Sequence, residues 1–260
     1  MISSTKNPKV QWIRRLQSKG KERQVEGSFV VEGVRLLEEA FNSNWKVEFL
    51  AYTDDLDSRG QDIVEAYQKL DTQAEVVSPH VMRAMSDTKN PQGILAVVKM
   101  EALSGPGQLD FMLILDQIRE PGNLGAILRS AAAAGVQLVC LTPGTVDPYS
   151  PKVLRAGMGA QLNLPIRVNT WNEIETQIKD SKLHTYLAQM GEGEVYHQSN
   201  LSHPLALIIG GEAEGASEKA HLVADSLIQI SMPGGGESLN ASVSAGILLF
   251  EIARQRELTK

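Results

Sequence analysis

Bulky apolar residues recur along the chain in short blocks, separated by stretches with helical spacing. In the first hundred residues the blocks are Phe29 to Val31, Val47 to Tyr52, Glu75 to Val77 and Ile94 to Val98, with helical patterns between them at Gly33 to Asn42, Gln61 to Leu70 and Pro79 to Met85. That alternation predicts a small α/β domain. The segment 102–110 then breaks the periodicity with two glycines and a proline, the composition of a linker. Beyond it come Phe111 to Leu115, Leu138 to Leu141, His184 to Ala188, Leu205 to Ile209 and Leu227 to Ile230, with helical segments between most of them. Runs without polar alternation read as strands buried on both faces, hence a mainly parallel sheet. The expected organisation is two α/β domains, 1–103 and 104–260.

Three polar stations interrupt the second domain. After the strand ending at Leu115, Asn123 suits a helix N-cap, Leu124, Ile127, Leu128 and Ala131 form an apolar stripe, and Gly135 suits the stop. Arg129 interrupts this otherwise small and apolar helix, so it calls for an anion, either a ligand or a structural carboxylate. The second station, Gly210-Gly211-Glu212-Ala213-Glu214-Gly215, begins as the strand Leu205 to Ile209 ends, where open parallel sheets carry their ligand sites. Its glycines let backbone approach a ligand, and Glu212 can accept hydrogen bonds. The third is Gly234-Gly235-Gly236-Glu237-Ser238-Leu239-Asn240, just before a last helix through Val243, Ile247, Leu248, Leu249 and Ile252. Asn240 or Ser242 either caps that helix or faces a ligand. A glycine turn followed by small polar side chains and a helix offers N–H donors to a polar ligand, and three such stations suggest one composite site.

Composition narrows the class. Hydrophobic residues make up 42% of 260, yet no apolar run reaches the ~18 residues that a membrane span needs. The start, Met1 to Pro8, lacks the apolar core of a signal peptide, so a cytoplasmic protein is expected. The single cysteine, Cys140, excludes an intrachain disulfide and sits in an apolar run as a small buried hydrophobe. The five histidines never fall at metal-ligand spacing, and no metal is expected. Net charge is -6, but the first 25 residues hold Lys6, Lys9, Arg14, Arg15, Lys19, Lys21 and Arg23 against Glu22 alone. Such an arm either meets phosphates or forms a solvated helix face. Gly157-x-Gly159 and Gly191-x-Gly193 do not complete a dinucleotide fingerprint, and neither a P-loop nor a nucleophile elbow is present.

Together the stations resemble the three motifs of the SpoU (TrmH) family of RNA ribose 2'-O-methyltransferases in the SPOUT superfamily. Asn123-x-Gly125 with Arg129 resembles the first, Gly210-x-Glu212-x-x-Gly215 the second, and Ile230-Ser231-Met232-Pro233 through Ser238-Leu239-Asn240 the third. Upstream, Ile2-x-Ser4 with Asn7-Pro8, Phe29-Val30-Val31-Glu32-Gly33 and Pro91-Gln92-Gly93 resemble the accessory RNA-binding domain of rRNA-modifying members. The resemblance implies a C-terminal SPOUT domain with a deep trefoil knot and a homodimer with its site near the subunit interface. It also implies S-adenosylmethionine held by Met190, Gly191, Gly210, Gly211, Ile230, Met232 and Leu239. The chemistry would fall to Arg129, with Asn123, Glu212, Ser238 and Asn240 orienting it, the ribose and the cofactor. The implied substrate is RNA, with 23S-type rRNA favoured over tRNA; a non-catalytic ribosome-assembly factor is the competing class. Three positions depart from the family pattern. Ser231 stands where proline is usual, Ala241 where valine is frequent, and Gly157 where serine is common, which removes a hydroxyl near the expected RNA path.

Overall fold

Asn7 opens helix α1 (Pro8–Ser18), its side chain accepting the Lys9 N–H at 2.9 Å, and Pro8 supplies a pre-set first turn. Val10, Ile13 and Leu16 are the buried stripe of this helix, so the basic residues between them face outward. There follow α2 (Gly20–Glu26), β1 (Ser28–Glu32), α3 (Val34–Asn42), β2 (Val47–Tyr52), α4 (Ser58–Gln68), β3 (Ala74–Val76), α5 (Pro79–Met85) and β4 (Ile94–Lys99). The four strands form a sheet in the order β1-β4-β2-β3, antiparallel on either side of β4 and parallel between β2 and β3. The upstream motif residues brace this sheet. Ile2 N–H donates to Val76 O at 2.8 Å, tying the chain start to β3. Glu32 accepts Ser86 Oγ at 2.5 Å and Thr88 Oγ1 at 2.6 Å, and Gln92 Oε1 accepts Val34 N–H at 3.2 Å, so the loop before β4 is fastened to the β1–α3 turn.

The second sheet is built from β5 (Phe111–Asp116), β6 (Leu138–Leu141), β7 (Ile166–Val168), β8 (His184–Ala188), β9 (Glu194–Val195), β10 (Leu205–Gly210) and β11 (Ser226–Gln229), with helices α6 (Pro121–Ala133), α7 (Pro151–Gly157), α8 (Trp171–Ser181), α9 (Glu218–Val223) and α10 (Ala241–Glu257) in the same stretch of chain. Its order is β7-β6-β5-β10-β8-β11-β9, and every pairing is parallel, as the unbroken apolar runs require. Met112, Leu113, Ile114 and Leu115 are all fully buried, so both faces of β5 are covered. Cys140 lies in this core, where burial pushes its thiol up to about 12. Strands β7 and β9 were absent from the expected set; β7 is three residues with two exposed, and β9 only two residues.

The structure describes residues 1–211, 215–235 and 238–259. The chain forms two compact units, one of Met1–Glu101 with Tyr149–Leu162, the other of Ala102–Pro148 with Asn163–Lys260. The first break falls in the linker, but a sequence division at 103/104 has no place for the excursion Tyr149–Leu162. Long-range contacts hold that excursion in the first unit: the Phe29 ring lies 4.8 Å from that of Tyr149 and 5.6 Å edge-on from Trp45, and Trp45 Nε1–H donates to Leu162 O at 2.7 Å.

Gly157 closes α7 within this excursion and is buried. A Cβ there would meet Gln161 Oε1 at 2.7 Å, and Gln161 is itself fully buried, so its amide occupies the space a side chain would take. Gly157→Ser therefore overpacks the first unit at an expected cost of about 1–3 kcal/mol. Differential scanning calorimetry should show a lower Tm, by roughly 2–4 °C per kcal/mol for a chain of this size; an unchanged Tm would mean that Gln161 moves aside freely.

Candidate active site

Strand β10 lies between β5 and β8, and its register sets Gly210 opposite Asp116. The chain leaves both strands at this edge and turns into the first two stations. Asp116 is fully buried, and its two oxygens are both used: Oδ1 accepts Thr142 Oγ1–H at 2.9 Å and Oδ2 accepts Ser217 N–H at 2.7 Å. Thr142 Oγ1 in turn accepts Gln117 N–H at 3.1 Å. One carboxylate thus joins the loop after β5, the loop after β6 and the segment that leads into α9, where Ser217 is the N-cap.

Gln117 holds the left-handed region with φ 58°, a conformation that costs a side chain about 1–2 kcal/mol. Its carbonyl then turns toward Gly211, where a Cβ would stand 2.7 Å from Gln117 O. At Gly210 a Cβ would meet Ala216 N at 2.5 Å. These two glycines are required because other backbone packs on them, a different reason from the ligand approach expected of them. Gly211 N–H donates to Gly215 O at 3.1 Å, closing the second station on itself. Glu212, expected to orient the reaction, lies outside the described residues.

A cavity of about 510 Å³ opens beside this cluster at the C-terminal ends of β8, β10 and β11. Gln189 and Met190 wall it after β8, Ile209 to Gly211 with Gly215 and Ala216 after β10, Ile230 and Met232 after β11, and Ser238 to Ala241 with Ser244 and Leu248 at the start of α10. Of the residues expected to hold a cofactor, Met190, Gly210, Gly211, Ile230, Met232 and Leu239 line this one cavity. Gly191 does not; it forms the turn just beyond, at φ 72°. Among the described residues, none of the lining side chains is ionisable. Gln189, Ser244 and Leu248 were not anticipated from sequence; the last two sit one helical turn apart on α10, a spacing indistinguishable from ordinary core.

The polar groups expected to do chemistry divide at the cavity mouth. Ser238 and Asn240 line it. Asn240 caps α10, accepting Ser242 N–H at 2.8 Å and Ser242 Oγ–H at 2.6 Å, while its Nδ2 donates to Asn123 Oδ1 at 3.0 Å. Capping and site contact are therefore the work of one side chain. Asn123 is not the N-cap of α6; Glu120 is, its carboxylate accepting Gly122 N–H at 3.4 Å, and Asn123 stands inside the first turn with its amide turned to Asn240. Arg129 sits six residues further along α6, roughly 9 Å up the axis at 1.5 Å per residue. It is exposed, does not line the cavity, and makes no ion pair with any described residue. Of the two anions the sequence allowed, a structural carboxylate is not found among the described residues, and Arg129 is a solvent-facing cation.

Comparison with known proteins agrees with this geometry. Residues 110–250 match the SpoU rRNA Methylase family, and residues 7–96 match the MRM3-like substrate binding domain. The 23S rRNA (guanosine(2553)-2'-O)-methyltransferase RlmP of Bacillus subtilis (strain 168) is 30% identical over 253 residues, covering 96% of this chain and 98% of that protein. An uncharacterized tRNA/rRNA methyltransferase of Synechocystis, slr1673, is 31% identical over 98% of this chain and 94% of its own length. Among solved structures, the SpoU methyltransferase AviRb from Streptomyces viridochromogenes in complex with AdoMet superposes with a TM-score of 0.87 at 27% identity, covering 97% of this chain and 100% of that one. The chain belongs to the SpoU rRNA methylase family.

The Asp116 junction makes a testable claim. Asp116→Ala leaves Ser217 N–H and Thr142 Oγ1–H without their acceptor, at about 1–3 kcal/mol for each buried group left unsatisfied. Chemical denaturation should register that loss, with a smaller one for Asp116→Asn, which keeps one acceptor oxygen. If Asp116→Ala unfolds at the wild-type midpoint, the carboxylate does not hold the loops together.

Proposed function

We propose that this chain is an S-adenosylmethionine-dependent RNA methyltransferase acting on a ribose 2'-hydroxyl, with 23S-type rRNA as its substrate. The observation that carries the reading is the cavity at the C-terminal ends of β8, β10 and β11, whose described lining is uncharged, with the Asn123–Asn240 pair at its mouth. Relatives that match nearly the whole chain support it.

The cavity fits the cofactor. Ile209, Ile230, Met232 and Leu239 offer apolar surface to a purine, and the glycines at 210 and 211 expose backbone polar groups beside it. When bound, S-adenosylmethionine supplies an electrophilic methyl group on sulfur. The chain's own residues then have to position an oxygen nucleophile and take up its proton. No described lining side chain can act as a base, so proton removal falls to groups brought to the mouth. Arg129 is the exposed cation of α6; a guanidinium keeps its charge and is a poor free base, so it holds the target nucleotide's phosphate and assists deprotonation. Asn123, Ser238 and Asn240 orient the ribose, with Glu212 assigned the same role from its motif.

The first unit, Met1–Glu101 with Tyr149–Leu162, binds RNA in this reading, and the second, Ala102–Pro148 with Asn163–Lys260, carries the catalytic domain. The chain after β10 forms the deep trefoil knot that membership of the family implies. The protein works as a homodimer in the cytoplasm. Support for the dimer comes from α10, where Val243 and Phe250 are about half exposed and Ile247 lies between them at one-turn spacing, an apolar stripe open to a second copy.

Transfer of labelled methyl from S-adenosylmethionine to total rRNA and total tRNA of a strain lacking the protein tests the reading. A 2'-O-methylated nucleoside in large-subunit rRNA alone is expected; label in tRNA alone would move the substrate, and no transfer with intact RNA binding would favour a non-catalytic assembly factor. Arg129→Ala should lower turnover at least 100-fold while cofactor affinity, read by calorimetry, stays within about twofold. Wild-type turnover in that variant would remove Arg129 from the mechanism. A substrate with deoxyribose at the target nucleotide should accept no methyl, and its methylation would refute the 2'-hydroxyl as the acceptor.

A further inference from the structure

The basic arm acquires a specific shape in the first unit. A groove of about 370 Å³ runs between α1 and α5, with Arg14, Arg15 and Gln17 on one wall and Met85, Ser86 and Asp87 on the other. Arg14 is exposed and has no ion pair among the described residues. Arg15 meets only Glu22, at 3.7 Å with both side chains well exposed, a contact of little energy in water. Asp87 is answered by Arg155 at 2.7 Å, so the surplus charge of the groove is positive. Gln17 is oriented by its Nε2–H, which donates to Met85 O at 2.7 Å, and this leaves Oε1 buried without a partner.

We infer that this groove seats one nucleotide of the RNA substrate, its phosphates on Arg14 and Arg15. The inference rests on the RNA-directed reading above and says where the first unit grips. The lining favours nucleic acid over a protein partner. It combines unspent guanidinium groups with amide and hydroxyl groups, whereas its apolar share is Ala84 and Met85, of which Met85 is 2% exposed and offers no pocket for an aromatic or aliphatic anchor. The volume takes a single unstacked nucleotide, which is how single-stranded RNA is read. Fastening of the 86–88 loop to Glu32 keeps one wall of the groove fixed.

The test measures binding apart from methyl transfer. Arg14→Gln/Arg15→Gln, both at exposed positions, is compared with wild type and with Lys179→Gln/Lys182→Gln on α8 and its cap, by filter binding to deproteinised 23S rRNA across a salt series. Loss of two single-strand phosphate contacts should reduce the slope of log K against log salt by about 1.4, at ~0.7 per contact. The KM for RNA should rise in proportion with kcat and cofactor affinity unchanged, and 4-thiouridine crosslinks should fall within residues 8–18 and 79–87. An unchanged salt slope, crosslinks confined to other segments, or no RNA binding by the wild type would overturn the groove assignment. If the wild type binds with the expected slope yet transfers no methyl to any RNA, the groove stands and the catalytic reading fails.

Discussion

The placement of β10 between β5 and β8 is the constraint from which the site follows. A parallel sheet delivers every strand's C-terminal end to one edge, and the insertion of a late strand into the middle makes that edge a switch point where loops diverge and leave a crevice. Register then decides the details. Because Gly210 pairs with Asp116, the loops after β10 and β5 leave side by side and press backbone on backbone. Close approach demands glycine at 210 and 211, a left-handed residue at 117, and an acceptor for the N–H groups stranded between loops. Asp116 meets the last need with both oxygens, without any exposed surface.

The cavity that results separates binding from chemistry. Its described lining has no ionisable side chain, so a cofactor there is held by shape, apolar contact and backbone dipoles, and its affinity should respond little to salt. The described charged groups stand outside it. The helices α6 and α10 meet at the mouth through two neutral amides, and a hydrogen bond between Asn123 and Asn240 fixes the relation of the first and third stations without placing a charge beside a sulfonium. Arg129 is exposed on α6 and does not line the cavity, so its charge stands apart from the described lining.

Much of this was legible in sequence because burial on both faces writes itself as an unbroken apolar run: Phe111 to Leu115 and Leu205 to Ile209 gave the two central strands almost to the residue. Edge strands β7 and β9 left no such run. Local rules also misplaced Asn123, which has the chemistry of an N-cap but lies two residues past the proline that opens the helix; Glu120 at the preceding position takes the cap. Asp116 was visible only as a polar residue ending an apolar block, and its two partners are 26 and 101 residues away, beyond any local pattern. The excursion Tyr149–Leu162 was hidden for the same reason, since Phe29 and Trp45 that hold it belong to the other end of the chain. Of the third station, Gly236 and Glu237 lie outside the described residues, as Glu212 does in the second.

A chain of net charge -6 that handles a polyanion has to concentrate its positive charge, and helix geometry explains how. In α1 the apolar positions Val10, Ile13 and Leu16 claim the buried stripe, which forces Arg14 and Arg15 to the outside. Apart from Glu22, which meets Arg15 at 3.7 Å, nearby acids are spent elsewhere: Glu32 on the loop before β4, Glu75 on Lys9, and Asp87 on Arg155. Counterion release depends on the cations that touch phosphate, not on total charge, so an acidic protein with such a patch binds RNA locally while the rest of its surface repels it. That repulsion restricts productive contact on the first unit to the patch.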